Sequence, residues 1–154
     1  MVTKPNDVLG WSNTHWGMSE IEVLRLFPGE AERLDAGIEF RNPKRFATVR
    51  IPDRAIDGKR LTILFFFDVN DGLSEVILKP LPAKPIGYFE PLFGLLKQKY
   101  GSATLTDKEG VTDTAIWLFP SSEVKLIRID ATSLNMLSVA VSYRAITERR
   151  LANL

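Results

Sequence analysis

The residue types that most often carry acid–base, nucleophilic or metal chemistry are scarce in this chain of 154 residues. It contains a single histidine, His15, and no cysteine. Histidine is the usual general base near neutral pH, so a serine triad would have to use His15, and no Gly-x-Ser-x-Gly elbow supplies its nucleophile. One histidine without cysteine also excludes a typical zinc site. We therefore expect His15 to be a half-exposed packing residue, and we expect no catalytic residue and no metal.

Two short runs resemble ligand-binding loops only in part. Residues 68–72 begin like a calcium-binding EF-hand loop, but the glycine comes one place early and Lys79 stands where the bidentate glutamate belongs. Residues 58–60 place an arginine where a phosphate-binding P-loop has serine or threonine. Hairpin turns explain both runs better, and no cofactor is predicted.

One segment concentrates positive charge in a chain that balances 20 Lys+Arg against 19 Asp+Glu. Within residues 41–60, seven basic residues face two acidic ones, a local charge of seven minus two, or +5. The segment is a candidate ligand-binding site for a small anion, a metabolite or an acidic partner, in a binder or an enzyme. The alternative is that these charges protect an edge hairpin from aggregation. The basic residues are Arg41, Lys44, Arg45, Arg50, Arg54, Lys59 and Arg60.

A second candidate surface is formed by Trp11, His15 and Trp16, which lie close together near the N-terminus. Tryptophan is enriched at the hot spots of protein interfaces. Two interpretations stay open, because tryptophans at the entry of a helix pack over a core just as naturally.

Two helices are predicted to organise the fold. Ser19 and Glu22 have the spacing of a capping box, which predicts a short helix over residues 20–27. The second helix covers residues 89–100, with Gly101 as the residue that ends it. Its apolar residues recur at helical spacing and are expected in the core: Phe89, Leu92, Phe93, Leu96 and Tyr100.

Strands account for most of the remaining apolar pattern. The run 61–67 is apolar on both sides and predicts a central strand covered on both faces. A strand over 46–51 is expected to end at Pro52, and a short basic helix is expected over 144–151. Further strands are predicted around 38–40 and over 73–79, 114–119, 123–130 and 137–143.

The sequence therefore predicts one α+β domain over residues 1–154, with an antiparallel sheet and two main helices packed on one face. Residues 62–67 and 114–119 are similar, and a Ser-Glu-Val run follows each of them. The order helix, strands, helix, strands suggests two similar helix-plus-hairpin halves. An internal duplication over 16–79 and 87–143 is left open beside chance similarity.

Several short motifs carry a family resemblance. Trp16-Gly17-Met18-Ser19 opens the first helix, Lys99-Tyr100-Gly101 closes the second, and Trp117 lies in a following strand. This pattern resembles small bacterial domains with the β-lactamase inhibitor protein fold, and the similar fold of an outer-membrane assembly lipoprotein. The resemblance implies a binding module rather than an enzyme, often of unknown function. The chain departs from that pattern in having no cysteine for a disulfide or for lipidation.

Composition narrows the partners without naming one. A formal charge of +1 disfavours nucleic acid, and no stretch approaches the ~20 apolar residues of a membrane-spanning helix. Residues 1–10 lack the apolar run of a signal peptide, so the cytoplasm is the default expectation, and the periplasm applies if an export signal has been removed. The leading hypothesis is a non-catalytic module that binds another protein. The anion binder or enzyme and a homo-oligomeric subunit are the alternatives.

Overall fold

The computed structural model describes residues 4–40 and 45–146, and all eight of its strands belong to one antiparallel sheet. A one-turn 3-10 helix, Thr132–Leu134, lies between the last two strands. The elements are α1 (Glu20–Leu26), β1 (Glu32–Phe40), β2 (Arg45–Ile56), β3 (Lys59–Asp68), β4 (Gly72–Pro80), α2 (Phe89–Tyr100), β5 (Leu105–Glu109), β6 (Thr112–Leu118), β7 (Ser122–Ala131) and β8 (Met136–Ala145).

The sheet consists of two helix-plus-meander halves joined side by side. Its strand order is β1-β2-β3-β4-β8-β7-β6-β5, so each half runs from an outer strand to the centre. The halves meet where β4 pairs antiparallel with β8, from Glu75 opposite Arg144 to Leu78 opposite Val141. We call this central pair the β4–β8 seam. The expected order of helix, strands, helix, strands is present.

The similar sequence runs do not occupy equivalent strands of the two halves. Residues 62–67 lie in β3, the third strand after α1, whereas residues 114–118 lie in β6, the second strand after α2. In the structural repeat, β3 corresponds in position to β7. The two similar sequence runs therefore lie in strands that do not correspond. A duplication stays a prediction.

Both predicted helices are confirmed, together with the features that begin and end them. The Ser19 hydroxyl accepts from the Glu22 N–H at 3.2 Å, and the Glu22 carboxylate accepts from the Ser19 N–H at 3.1 Å. These hydrogen bonds, chiefly the one from the Ser19 backbone, lower the pKa of Glu22. At the end of α2, Gly101 has φ +82° and its N–H donates to the carbonyl of Lys97 at 2.8 Å. A left-handed φ of this kind is where glycine is favoured.

The end of β2 and the terminal helix were predicted wrongly, and one strand was not predicted. Strand β2 does not end at Pro52 but continues to Ile56, because a register shift between Ile51 and Arg54 accommodates the proline. Strand β5 was missed, since all five of its residues are exposed and show no apolar alternation. The expected terminal helix is contradicted at Arg144 and Ala145, which belong to β8, while its residues 147–151 lie outside the described part.

The main hydrophobic cluster contains buried residues from both helices and from β2, β3, β4, β6, β7 and β8. From α1 it takes Val23, and from α2 Leu92 and Leu96. A smaller cluster on alternate sheet positions comprises Ala47, Leu64, Phe66 and Ile77. Strand β3 contributes to both clusters, and Phe66 is only 1% exposed, which confirms that this strand is covered on both sides. None of the described helices combines the length and apolar character needed to cross a bilayer.

Candidate functional site

Trp11 is a core residue. It is 5% exposed and its ring packs against Phe27 at 5.9 Å and Phe65 at 6.0 Å between centroids. Its backbone is held by Thr14, whose hydroxyl donates to the Trp11 carbonyl at 2.6 Å. Trp11 therefore has almost no surface to offer a partner in the described conformation.

Trp16 joins the N-terminal segment to the second half of the sheet. Its indole N–H donates to the Ser122 hydroxyl at 2.8 Å, and that hydroxyl donates to the carbonyl of Val8. The two residues after Trp16 bond to the start of β4: the Gly17 N–H donates to the Leu73 carbonyl at 3.0 Å, and the Leu73 N–H donates to the Met18 carbonyl at 2.8 Å. Neighbouring His15 is exposed. Of the three predicted interaction residues, only His15 is exposed, and the interaction role of the group stays a prediction.

Carboxylates lie near the three described arginines of the basic segment, and the Arg54 guanidinium is 3.8 Å from the Glu30 carboxylate. Arg50 donates through Nε to the Glu32 carboxylate at 3.0 Å. Arg60 donates through Nε to Asp53 at 2.9 Å, and this hydrogen bond raises the pKa of Arg60. Each of these two guanidinium groups therefore already has a carboxylate partner.

The other described cations of this segment cover aromatic rings. The Arg54 guanidinium lies 5.4 Å from the Trp11 ring centroid and 5.5 Å from that of Phe27. The Lys59 ammonium lies 5.2 Å from the ring centroid of Tyr88. Contacts of this kind are cation–π interactions that also shield the ring from water.

Among the described basic residues, Arg50 and Arg54 do not converge on one site. Arg50 lies opposite Leu64 and Arg54 opposite Leu61, and these two leucines belong to the two different clusters on alternate sides of the sheet. Antiparallel partners share a side, so Arg50 and Arg54 project to opposite faces. Arg41 and Lys44 lie outside the described residues, and of Arg45 only its place at the start of β2 is described.

A hollow of about 380 Å³ lies over the β4–β8 seam, beneath α2. We call it the seam cavity. Its walls combine seam residues Leu78 and Val141 with residues of α2 and with Trp11. Lys99 is the one charged residue in its lining. The lining residues are Trp11, Ile56, Leu78, Leu92, Leu95, Leu96, Gln98, Lys99, Val141 and Tyr143.

Two tyrosines connect this cavity to a second, smaller hollow. The hydroxyls of Tyr100 and Tyr143 lie 2.9 Å apart in a buried hydrogen bond. Burial raises the pKa of Tyr143 well above its usual range, and the neighbouring Tyr100 adds to the shift. The second hollow, of about 220 Å³, is lined by Lys99 and Tyr100 and by N-terminal residues that include His15. Lys99 thus borders both hollows.

Sequence reasoning missed the seam cavity because every apolar residue in its lining is also what a core strand or helix would contain. The one distinguishing signal is Lys99, which the sequence analysis places only in the Lys99-Tyr100-Gly101 motif at the end of the second helix.

A partly exposed apolar patch lies on the side of β6 that faces away from the main cluster. Ala115 and Trp117 belong to the main cluster, so the alternate β6 residues Ile116 and Leu118 face away from it. Leu105 of β5 lies opposite Ile116. Leu105 is 56% exposed and Leu118 is 49% exposed. We call Leu105, Ile116 and Leu118 the outer patch.

Charged residues border the outer patch in the next strand. Lys125 of β7 lies opposite Ile116, and Glu123 lies opposite Leu118. Sequence reasoning missed the patch because β5 was not predicted, so Leu105 had no assigned neighbour.

Within the described residues, no group of three or more histidine, aspartate or glutamate side chains is placed to hold a metal ion. No protein-family model, curated protein or solved structure matches this chain. The helices and the eight-stranded antiparallel sheet of the described residues make this an α+β protein.

Proposed function

We propose that this chain is a non-catalytic protein-interaction module, in which both helices cover one face of the sheet and a protein partner docks on the other face. The observation that carries the proposal is the outer patch, where Leu105 and Leu118 are about half exposed beside Ile116. A bacterial kinship with the β-lactamase inhibitor protein fold is part of the same proposal, and it too implies a binding role.

The packing of the helices supports the choice of face. Val23 of α1 and Leu92 and Leu96 of α2 share the main cluster with Ala115 and Trp117. The outer patch occupies the alternate positions of β6. Residues on alternate positions of a strand point to opposite faces, so the side of β6 that bears the patch is the side away from this cluster.

The composition of the patch and its border fits a protein partner. Three apolar residues form its centre, and Lys125 and Glu123 border it on β7. Protein interfaces have this arrangement of an apolar centre and a polar rim. Because both signs of charge are present, the partner is expected to be a folded protein with a mixed surface rather than a polyanion.

Docking on the face is favoured over extension of the sheet edge. Strand β5 is the outer strand of its half, so a partner strand could in principle pair with it. Its sequence, however, includes Asp107, Lys108 and Glu109, all exposed. Charged residues on an outer strand deter the addition of another strand.

The test is capture of a partner with three single variants. Leu118→Asp and Leu105→Asp place a charge in the patch. Val69→Asp places one on the β3–β4 turn, where Val69 is fully exposed, and is the matched control. Tagged proteins, checked for folding by circular dichroism, are incubated with lysate of the source organism, and bound proteins are quantified by mass spectrometry.

We expect one stoichiometric partner with the wild type and with Val69→Asp, and at least tenfold less with either patch variant, since a buried unpaired charge is costly. Equal recovery with all variants contradicts the proposal. Light scattering tests whether the chain binds a second copy of itself. A wild-type dimer that Leu118→Asp dissociates would show that a second copy occupies the patch. That result would also contradict the proposal of a different protein as the partner.

A further inference from the structure

The seam cavity is a separate feature from the outer patch, on the side of the sheet that carries the main cluster. Its walls include Leu78, Val141, Leu92 and Leu96, all members of that cluster. Leu78 and Val141 are direct partners across the β4–β8 seam. The cavity therefore lies where the two helix-plus-meander halves join.

The size and lining of the cavity are those of a small-molecule site. Its volume of about 380 Å³ falls within the roughly 300–1,000 Å³ typical of ligand pockets. Such pockets are mostly apolar, with a few placed polar groups. Here most lining residues are apolar, and the polar ones are Gln98, Lys99 and the Tyr143 hydroxyl, which is already bonded to Tyr100. The hollow is open to solvent on one side, so a ligand that fills it removes apolar wall from contact with water.

The charge at the cavity selects one kind of ligand. Lys99 is exposed at the border, and no aspartate or glutamate is in the lining. Among the described residues, no carboxylate lies within 4.0 Å of the Lys99 ammonium, which instead rests 5.4 Å from the Tyr100 ring centroid. A long lysine can lay its methylene stem along an apolar wall and hold its charge at the water boundary. Within the described part of the chain, the border therefore offers a cation without a carboxylate partner next to an apolar wall.

We infer that the seam cavity binds a small amphipathic molecule with an unbranched apolar tail and a carboxylate end, the tail lying over Leu78 and Val141 and the carboxylate pairing with Lys99. At about 30 Å³ for each water-sized group, the volume of about 380 Å³ holds roughly a dozen heavy atoms, which matches a ten-carbon carboxylate. Lys99 also borders the smaller hollow, whose lining includes Asp7, so the carboxylate lies at the border of the seam cavity beside Lys99 and not in the smaller hollow.

The test uses decanoate on protein with labelled isoleucine, leucine and valine methyl groups, followed by NMR below the micelle concentration. Decanol and decyltrimethylammonium carry the same tail with no charge and with a positive charge. Lys99→Gln removes the cation from the cavity border. Lys97→Gln is the matched control, because Lys97 lies in the same turn of α2 but not in the lining. Leu95 is a half-exposed lining residue of α2, and Leu95→Trp enlarges it without changing Leu78 or Val141.

We expect saturable decanoate shifts at the Leu78, Leu92 and Val141 methyls, and weaker binding of the other two compounds. Lys99→Gln weakens decanoate binding about fivefold, which is the effect expected from the loss of one exposed ion pair. The same variant leaves the affinity for decanol unchanged. Lys97→Gln changes neither, and Leu95→Trp weakens both. Leu118→Asp binds decanoate like the wild type, which separates this site from the proposed protein interface.

Three results would overturn the inference. The first is no saturable shift with decanoate. The second is shifts centred on Leu105 and Leu118, which indicate nonspecific binding to exposed apolar surface. The third is equal binding of decanoate and decanol with no effect of Lys99→Gln, which removes the role of the charge.

Discussion

The hydroxyls of Tyr100 and Tyr143 form a buried hydrogen bond of 2.9 Å that joins the last turn of α2 to β8. Replacing either tyrosine by phenylalanine leaves the other hydroxyl buried without this partner. A buried polar group left unpaired costs about 1–3 kcal/mol, whereas removing both partners is often nearly neutral.

We expect Tyr100→Phe and Tyr143→Phe each to lower the free energy of unfolding by about 1–2 kcal/mol, and the double variant to cost clearly less than the sum. Urea denaturation of the wild type and the three variants measures this. Strict additivity would show that the two hydroxyls do not depend on each other.

The same pair predicts an alkaline limit to stability. Burial raises the pKa of Tyr143 in the folded protein, so the folded state holds this proton more tightly than the unfolded chain. The resulting stability is complete below the ordinary tyrosine pKa of about 10 and is lost as the pH rises above it towards the folded value. We expect unfolding free energy to fall more steeply above about pH 10 in the wild type than in Tyr143→Phe. Parallel curves for the two proteins would contradict the assignment.

The elements that sequence reasoning located are those whose signal is local. The capping box of Ser19 and Glu22 and the glycine at 101 mark helix ends through hydrogen bonds within a few residues. Strand β5 lacks such a signal, because it exists only through pairing with β6 and buries no side chain.

The candidate surfaces depend on long-range placement, and sequence reasoning could not locate them. Trp11 and Trp16 were equally compatible with a surface and a core, and the choice depends on Phe65 and Ser122, which are distant in sequence. The seam cavity likewise requires knowing that β4 pairs with β8. Spacing along the chain does not contain this information.

The surroundings of Gly72 leave no room for any side chain, so we expect only glycine to be tolerated at this position. It has φ +69°, and an added Cβ would lie 2.4 Å from the carbonyl oxygen of Gly17 and 2.8 Å from that of Met18. Both contacts are with backbone, so the segment before α1 would have to move away from β4. Gly58 has φ +79° but open space around it, which makes Gly58→Ala the matched control for backbone strain alone.

We expect Gly58→Ala to cost about 1 kcal/mol and Gly72→Ala at least twice as much, because the steric conflict adds to the strain. Thermal and urea unfolding compare the two. An equal loss in both variants would mean that the Gly17–Met18 segment yields without cost.

The last prediction concerns Arg50 and Arg54, which are four residues apart in β2 but project to opposite faces of the sheet. A single small anion therefore cannot bridge them, and Arg50 and Arg60 already hold carboxylates. We expect phosphate to stabilise the protein no more than sodium chloride of equal ionic strength, measured by thermal shift.

The two arginines should also differ in how much their replacement lowers the free energy of unfolding. Arg54→Ala uncovers the rings of Trp11 and Phe27 and is expected to lose about 1–2 kcal/mol. Arg50→Ala removes an exposed ion pair worth less than about 1 kcal/mol. A phosphate-specific stabilisation that both variants abolish would instead establish a shared anion site on the basic segment, and with it the alternative function.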